Sequence, residues 1–426
     1  MDKKLLDDCF RNDGQRLRHD EALAILRQRV RPVVRQERVA VTEALNRILA
    51  AAAVAGQDVP AHTNAAVDGY SFAAADYRQA EATSLELKGR AAAGHPHVGV
   101  PDKATAVRIF TGAVMPQGHD TVAMQEDVHT QAQHGRTFVT IPSGLKPNAN
   151  VRSAGEDVKA GETILGAGSI LRPQDLAALA SLGIAEVACY AGLKVATVAS
   201  GDEIVRPGAA LQPGQVYDAN TPMLRALIAG TGARARDLGV LPDDAQLFRD
   251  RLAEAAQTCD VIITSGGASR GEEDHMVAAL DALGKRHLWQ LAIKPGRPMT
   301  FGQIDDCVVV GLPGNPVAVF VCFLLYVWPM LRRLGGAPWP EPRRFPLPAG
   351  FDFPDRKLGR REFWRGTLVS RPHGLTVAKF PRDGSGLISG LRAADGLIEI
   401  PEDVPQVKRG DPVAFIPFSE FGISGR

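Results

Sequence analysis

A chain of 426 residues exceeds one ordinary hydrophobic core and points to about three domains. Its 49 Lys and Arg against 48 Asp and Glu leave a formal net charge of +1, which argues against a global field for nucleic acid or an acidic membrane, so any selectivity for anions is local. Five scattered cysteines without a C-x-x-C pair read as reduced core thiols of a cytoplasmic protein.

The first twenty residues carry basic side chains but no apolar h-region, which argues against a secretory signal. Residues 20–31 and 42–54 place apolar side chains at helical spacing, with Asp20 and Thr42 as N-caps. From Gly56 to about Arg152 short alternating pieces such as 106–110 and 121–125 predict a β-rich domain. Its conspicuous loops hold Asp68 before Gly69, Thr111 before Gly112, and Glu156 and Asp157 after Gly155, each of which also fits plain turn chemistry. A helix is expected over 172–183, with Pro173 in its first turn and Gly183 closing it.

Between residues 192 and 334 apolar strands alternate with helices, the pattern of a mainly parallel α/β sheet. The last of these helices contains the apolar run 317–331, interrupted by Pro329. That run falls short of the ~20 residues of a membrane span and reads as a buried helix. Nearly every strand ends in polar or Gly/Pro-rich sequence: SGDE, LPDD, SGGAS, IKPGRP and GLPGNP. The centre is CDVIITSGGASRGEED, residues 259–274, where Val261, Ile262 and Ile263 break into Ser265, Gly266, Gly267 and Ser269. Ligands of open α/β sheets sit at such strand ends, and glycines there let main chain approach an anion. It is neither a Walker loop nor a dinucleotide fingerprint. A proline-rich linker, 335–350, leads to short strands that predict a small C-terminal β-barrel or sandwich, in which Arg360, Arg361, Arg365 and Ser385 are candidates for an anion or members of a solvated basic face.

The motifs TNAAVDGY, RIFTGA, AGEDV, SGDEI, SGGAS with GEED, LAIKPGRP and GLPGNP, in this order over roughly 20–420, resemble molybdopterin molybdenumtransferase of the MoeA type, related to the gephyrin E domain. The resemblance implies a multidomain α/β plus β chain with a central α/β domain of the molybdopterin-binding type. The expected divisions are a helical segment (1–55 with 153–185), an inserted β-rich domain (56–152), the α/β domain (186–335) and a C-terminal small β-barrel (336–426). It further implies cleavage of adenylylated molybdopterin with release of AMP, insertion of molybdate, a Mg²⁺ requirement, a homodimer and a molybdopterin adenylyltransferase as partner, with no nucleic acid or membrane. Carried over by position, catalytic roles fall on Asp68, Thr111, Asp157, Glu203, Asp243, Asp274 and Lys294, with Glu203, Asp243 and Asp274 as metal ligands. Substrate contacts fall on Ser265, Gly266, Gly267, Ser269, Gln290, Arg297, Pro313, Gly314, Asn315, Pro316, Arg360 and Ser385. The chain departs from the bacterial pattern at Gln290 and Arg297, where lysines are usual, and at Ala66 and Val67 before Asp68. If 288–294 is one extended strand, positions 290 and 294 share a face. The alternative within the resemblance is a molybdopterin-binding scaffold of the gephyrin type, and outside it a generic nucleotide-binding α/β protein.

Overall fold

The computed structural model describes residues 16–266 and 275–425. The first helix, His19–Arg29, starts one residue before Asp20, because the Glu21 carboxylate reaches back to the Arg18 N–H at 2.9 Å. Asp20 is therefore inside the helix and pairs with Arg361 instead of capping. The helix expected over 42–54 does not form: only the single turn Val41–Glu43 is helical. Helical spacing loses here to tertiary pairing, since the Leu49 and Ala50 amides donate to the carbonyls of Ser169 and Ala188, and Asn46 takes a left-handed φ of 62°. Gln36–Ala40 pairs antiparallel with Glu186–Tyr190, and Pro173–Ser181 is the second helix, closed by Gly183 at φ 73°.

The β-rich segment forms one six-stranded sheet, in which Thr105–Ile109 lies between Gly69–Phe72 and Thr83–Ala91. The central sheet contains six strands, here β1 (Lys194–Ser200), β2 (Arg234–Leu241), β3 (Val261–Ser265), β4 (Lys285–Gln290), β5 (Pro298–Ile304) and β6 (Cys307–Leu312). Their order is β2-β1-β3-β6-β5-β4, parallel from β2 to β6 and antiparallel beyond. The uninterrupted apolar character of β3 follows from burial on both faces. Val261 and Ile263 join the core under the long helix Pro316–Leu334, while Ile262 packs with Phe248, Leu252 and Leu280 on the opposite face.

That long helix is a core element, with 94% of its most apolar stretch buried. Pro329 has no N–H to offer the preceding turn, and the helix widens there into a π turn, Phe323–Val327. Inside that turn the Tyr326 hydroxyl and His19 Nδ1 share a hydrogen bond of 2.8 Å, and the Phe363 ring closes against His19 at 5.2 Å. Four described cysteines, Cys189, Cys259, Cys307 and Cys322, are buried and unpaired; Cys9 lies outside the described residues.

The C-terminal strands Phe345–Pro348, Arg361–Arg371, Gly374–Lys379, Gly396–Ile400 and Pro412–Pro417 form a closed barrel. The ring is completed where Gly350 donates to the Val377 carbonyl at 2.8 Å. Its first strand lies within the segment expected to be linker. Arg361 ties the barrel to the first helix through Asp20 at 2.8 Å, Glu399 at 3.0 Å and Glu402 at 3.1 Å.

Burial, and then the Arg361 charge, push the His19 imidazole down from 6.5 to about 3. The unfolded chain therefore binds a proton that folded His19 refuses between those values, so acidification from pH 6.5 toward 3 costs stability, by about 1.4 kcal/mol per pH unit from this group. Equilibrium unfolding at pH 7 and pH 5 is expected to show a larger loss for wild type than for His19→Gln, and equal losses would refute the assignment.

Candidate active site

The parallel strands β1, β2, β3 and β6 bring their carboxyl ends to one edge of the sheet. Two of the loops that leave them cap each other: the Asp202 N–H donates to Asp243 Oδ2 at 3.3 Å and the Asp243 N–H to Asp202 Oδ1 at 3.1 Å. Asp244 then caps the helix Ala245–Ala256 through the Leu247 N–H. Glu203 folds its carboxylate into the space a Gly201 side chain would fill, and the φ of 133° there also favours glycine. Gly266, at φ 94°, runs close under the Ser200 carbonyl, and its N–H donates to Leu312. Asn315 is the N-cap position of the long helix and Pro316 its first residue, while Asn220 Nδ2 holds the Gly314 carbonyl at 2.8 Å.

The chain does not continue as one strand from 288 to 294. β4 ends at Gln290, Leu17 bridges to Leu291, and Ile293–Lys294 crosses into the barrel sheet to pair in parallel with Arg361 and Glu362. Gln290 and Lys294 therefore belong to different sheets, which removes the shared face expected of them. A cavity of about 460 Å³ opens at this crossing, between the α/β domain and the barrel. It draws together Gly266, Lys294, Arg297, Pro313, Gly314, Asn315 and Ser385, all singled out from sequence. The barrel adds Phe363, Trp364, Arg365, Lys379, Phe380 and Asp383. Among the described residues its wall carries four cations, Lys294, Arg297, Arg365 and Lys379, against one carboxylate, Asp383.

Each cation is held differently. Lys294 Nζ stands 4.0 Å from Glu362, a carboxylate 2% exposed that also accepts from Arg360 Nε at 2.9 Å and Trp364 Nε1 at 2.8 Å. Arg365 lies over Phe380 at 4.8 Å and donates to the carbonyls of Leu387 and Arg382. Burial lowers its guanidinium from the usual value, partly offset by Asp383. Among the described residues Arg297 is exposed and has no carboxylate partner. Arg360 is not on the cavity wall, where Arg365 stands; its Nε donates to Glu362.

Other expected residues stand apart. Ser265 ends β3 in the core, Gln290 ends β4, and Pro316 lines a neighbouring cavity with Phe320. Gly267, Ser269 and Asp274 lie outside the described residues. Asp68, Thr111 and Asp157 belong to the β-rich side and do not line this cavity. There Asp68 Oδ1 accepts from the Thr111 N–H at 2.8 Å and its hydroxyl at 2.7 Å, and these bonds, the backbone one foremost, hold the carboxyl below its usual range. Asp157 is exposed, its N–H on the Val59 carbonyl. For a divalent cation, Glu203 and Asp243 offer exposed carboxylate oxygens, the donors Mg²⁺ takes. Among the described residues no three acidic, His or Cys side chains gather as a metal-holding group.

Three family models match the chain. Residues 17–183 match the MoeA N-terminal region (domain I and II), 196–333 a probable molybdopterin binding domain, and 347–418 the MoeA C-terminal region (domain IV). The molybdopterin molybdenumtransferase of Haemophilus influenzae is 38% identical over 88% of this chain and 92% of its own. The chain belongs to the MoeA family. Family members are transferases of molybdenum cofactor biosynthesis. Molybdopterin molybdenumtransferase 2 of Mycobacterium tuberculosis is 33% identical over 92% of this chain and 96% of its own. The molybdopterin biosynthesis MoeA protein from Pyrococcus horikoshii superposes with a TM-score of 0.79 at 29% identity, over 95% of this chain and 100% of its own.

The two arginines are expected to separate in experiment. Arg365→Ala should weaken binding of molybdate or phosphate by about tenfold or more, because a charge-assisted bond is lost. Arg360→Ala should appear chiefly as lost stability, about 3 kcal/mol, since it leaves Glu362 buried and underpaired. Titration calorimetry and denaturant unfolding on both variants check the division.

Proposed function

We propose that the chain carries out the last step of molybdenum cofactor assembly: it binds adenylylated molybdopterin, cleaves the phosphoanhydride with release of AMP, and places molybdate on the dithiolene. The observation that carries this reading is the cavity between α/β domain and barrel, with four cations on its wall. A phosphoanhydride and a molybdate dianion crowd several negative charges into one space, and cations fixed in a partly desolvated wall stabilise them without reorganising. Lys294 and Arg365, set by the barrel sheet, neutralise the anionic oxygens, and Arg297 meets them from the open side. The Ser385 hydroxyl and the Asn315 amide orient an oxyanion. Among the described residues nothing stands within 4 Å of the position a Gly314 side chain would occupy, so a ligand has access to its backbone. The rings of Phe363, Trp364 and Phe380 exclude water and strengthen each charge.

Glu203 and Asp243, with Asp274 from the sequence, would hold Mg²⁺, which when bound supplies charge stabilisation at phosphate oxygens. The proposal includes a cytoplasmic homodimer that receives its substrate from a molybdopterin adenylyltransferase. Asp68, Thr111 and Asp157 do not line the cavity of their own chain, which supports a cleft completed by the second subunit.

Purified protein incubated with adenylylated molybdopterin, Mg²⁺ and molybdate is expected to release AMP. Excess chelator or Asp243→Asn should abolish the release, and full turnover in either case would sink the metal assignment. Binding without AMP release would instead indicate a scaffold. Mixed Asp68→Ala and Lys294→Ala subunits should recover part of the activity after exchange, since one of the two shared sites is then intact; no recovery would place the site within one chain.

A further inference from the structure

For an oxyanion pocket, one wall residue has the wrong sign. Asp383 is paired with Lys379, a lysine whose side chain is only 9% exposed. The ammonium is boxed by aromatic rings, 5.1 Å from the centre of Phe353 and 5.3 Å from that of Trp364, and donates to the Phe380 carbonyl at 3.4 Å. A cation so enclosed has little water to turn to and needs an anion at its open end. Asp383 supplies one, yet its own side chain is 45% exposed and stands on the glycine-containing loop 381–387. That loop is drawn against the cavity by Arg365, which holds the Arg382 and Leu387 carbonyls, and by the Val317 N–H, which holds the Ser385 carbonyl at 2.9 Å.

We propose that Lys379 is a further ligand-binding cation of the pocket, and that Asp383 is its built-in stand-in, paired with it when the pocket is empty and displaced when a ligand oxyanion takes the ammonium. This rests on the reading of the cavity as an oxyanion site and adds to it a residue and a competition. The exchange leaves Lys379 paired throughout, so no buried charge is stranded at any stage. Asp383, already half in solvent, moves the rest of the way out. The pair also sets a threshold for entry. A neutral ligand cannot displace a carboxylate, whereas a dianion can, so the pocket rejects uncharged competitors of the same size.

The test uses the full chain, with sodium molybdate alone and inorganic phosphate alone as probes in titration calorimetry at low and moderate salt. Asp383→Asn is expected to bind the oxyanion about tenfold more tightly than wild type at low salt, because Lys379 is released to the ligand. Lys379→Met is expected to bind more weakly, Lys379→Arg to remain within about threefold of wild type, and Asp383→Asn to give less than about a twofold gain when added to Lys379→Met. Melting curves confirm that each variant is folded, and Asp383→Asn together with Lys379→Arg keep the test open if Lys379→Met is not. Unchanged or weaker binding by Asp383→Asn, no oxyanion binding by any variant, or an equal gain in the Lys379→Met background would each overturn the proposal. AMP release from adenylylated molybdopterin is measured separately; its failure would overturn the proposed reaction and leave this competition to be judged by the binding data.

Discussion

The pocket depends on two residues that change sheets. Ile293 and Lys294 follow a strand of the α/β domain but take their backbone partners, Arg361 and Glu362, from the barrel. Parallel pairing fixes both the distance and the direction of the two chains. Lys294 is thereby carried by the same sheet as Trp364 and Arg365, while the Gly- and Pro-rich loops opposite are carried by the α/β domain. The cavity is a gap between two sheets joined by backbone hydrogen bonds at this crossing.

Behind that wall the charges form a chain of partial compensation. Glu362 is nearly inaccessible and would be costly alone, but Arg360, Trp364 and Lys294 surround it. Arg361, the next residue, faces the other way into Asp20, Glu399 and Glu402 and secures the barrel to the first helix. Arginines on and just before one strand thus have different work: Arg361 assembles domains, Arg360 stabilises a buried carboxylate, and Arg365 faces the cavity.

This division explains what was legible in the sequence. The βα alternation could be read because β3 and β6 are apolar on both faces and end abruptly in glycine or proline, a local signal. Gly266 and the loop after β6, with Lys294 and Arg297, could be found for the same reason. Which of Arg360, Arg361 and Arg365 meets the cavity could not, because strand alternation and barrel closure decide it. Lys379 and Asp383 gave no signal at all: in sequence they are an exposed-looking strand end and a turn, and only the approach of Trp364 and Phe353 encloses the lysine's ammonium. The absent helix at 42–54 has a similar cause, since its backbone amides found partners more than a hundred residues away, at Ser169 and Ala188.

The π turn in the long helix has an effect on azimuth. Phe320 packs edge-on against Phe418 at 5.1 Å, and Trp328 packs edge-on against Phe421 at 5.1 Å. At about 100° per residue, eight positions along an ideal α-helix would leave those two rings about 80° apart around the axis. The extra residue housed in Phe323–Val327 cancels roughly one step and brings them to within about 20° of the same line. Their partners are already aligned, because Phe418–Phe421 is a 3₁₀ turn, in which residues three apart eclipse. The widened turn therefore works as a phase correction, letting one continuous helix offer two aromatic rings in register to a terminal turn built on a different period.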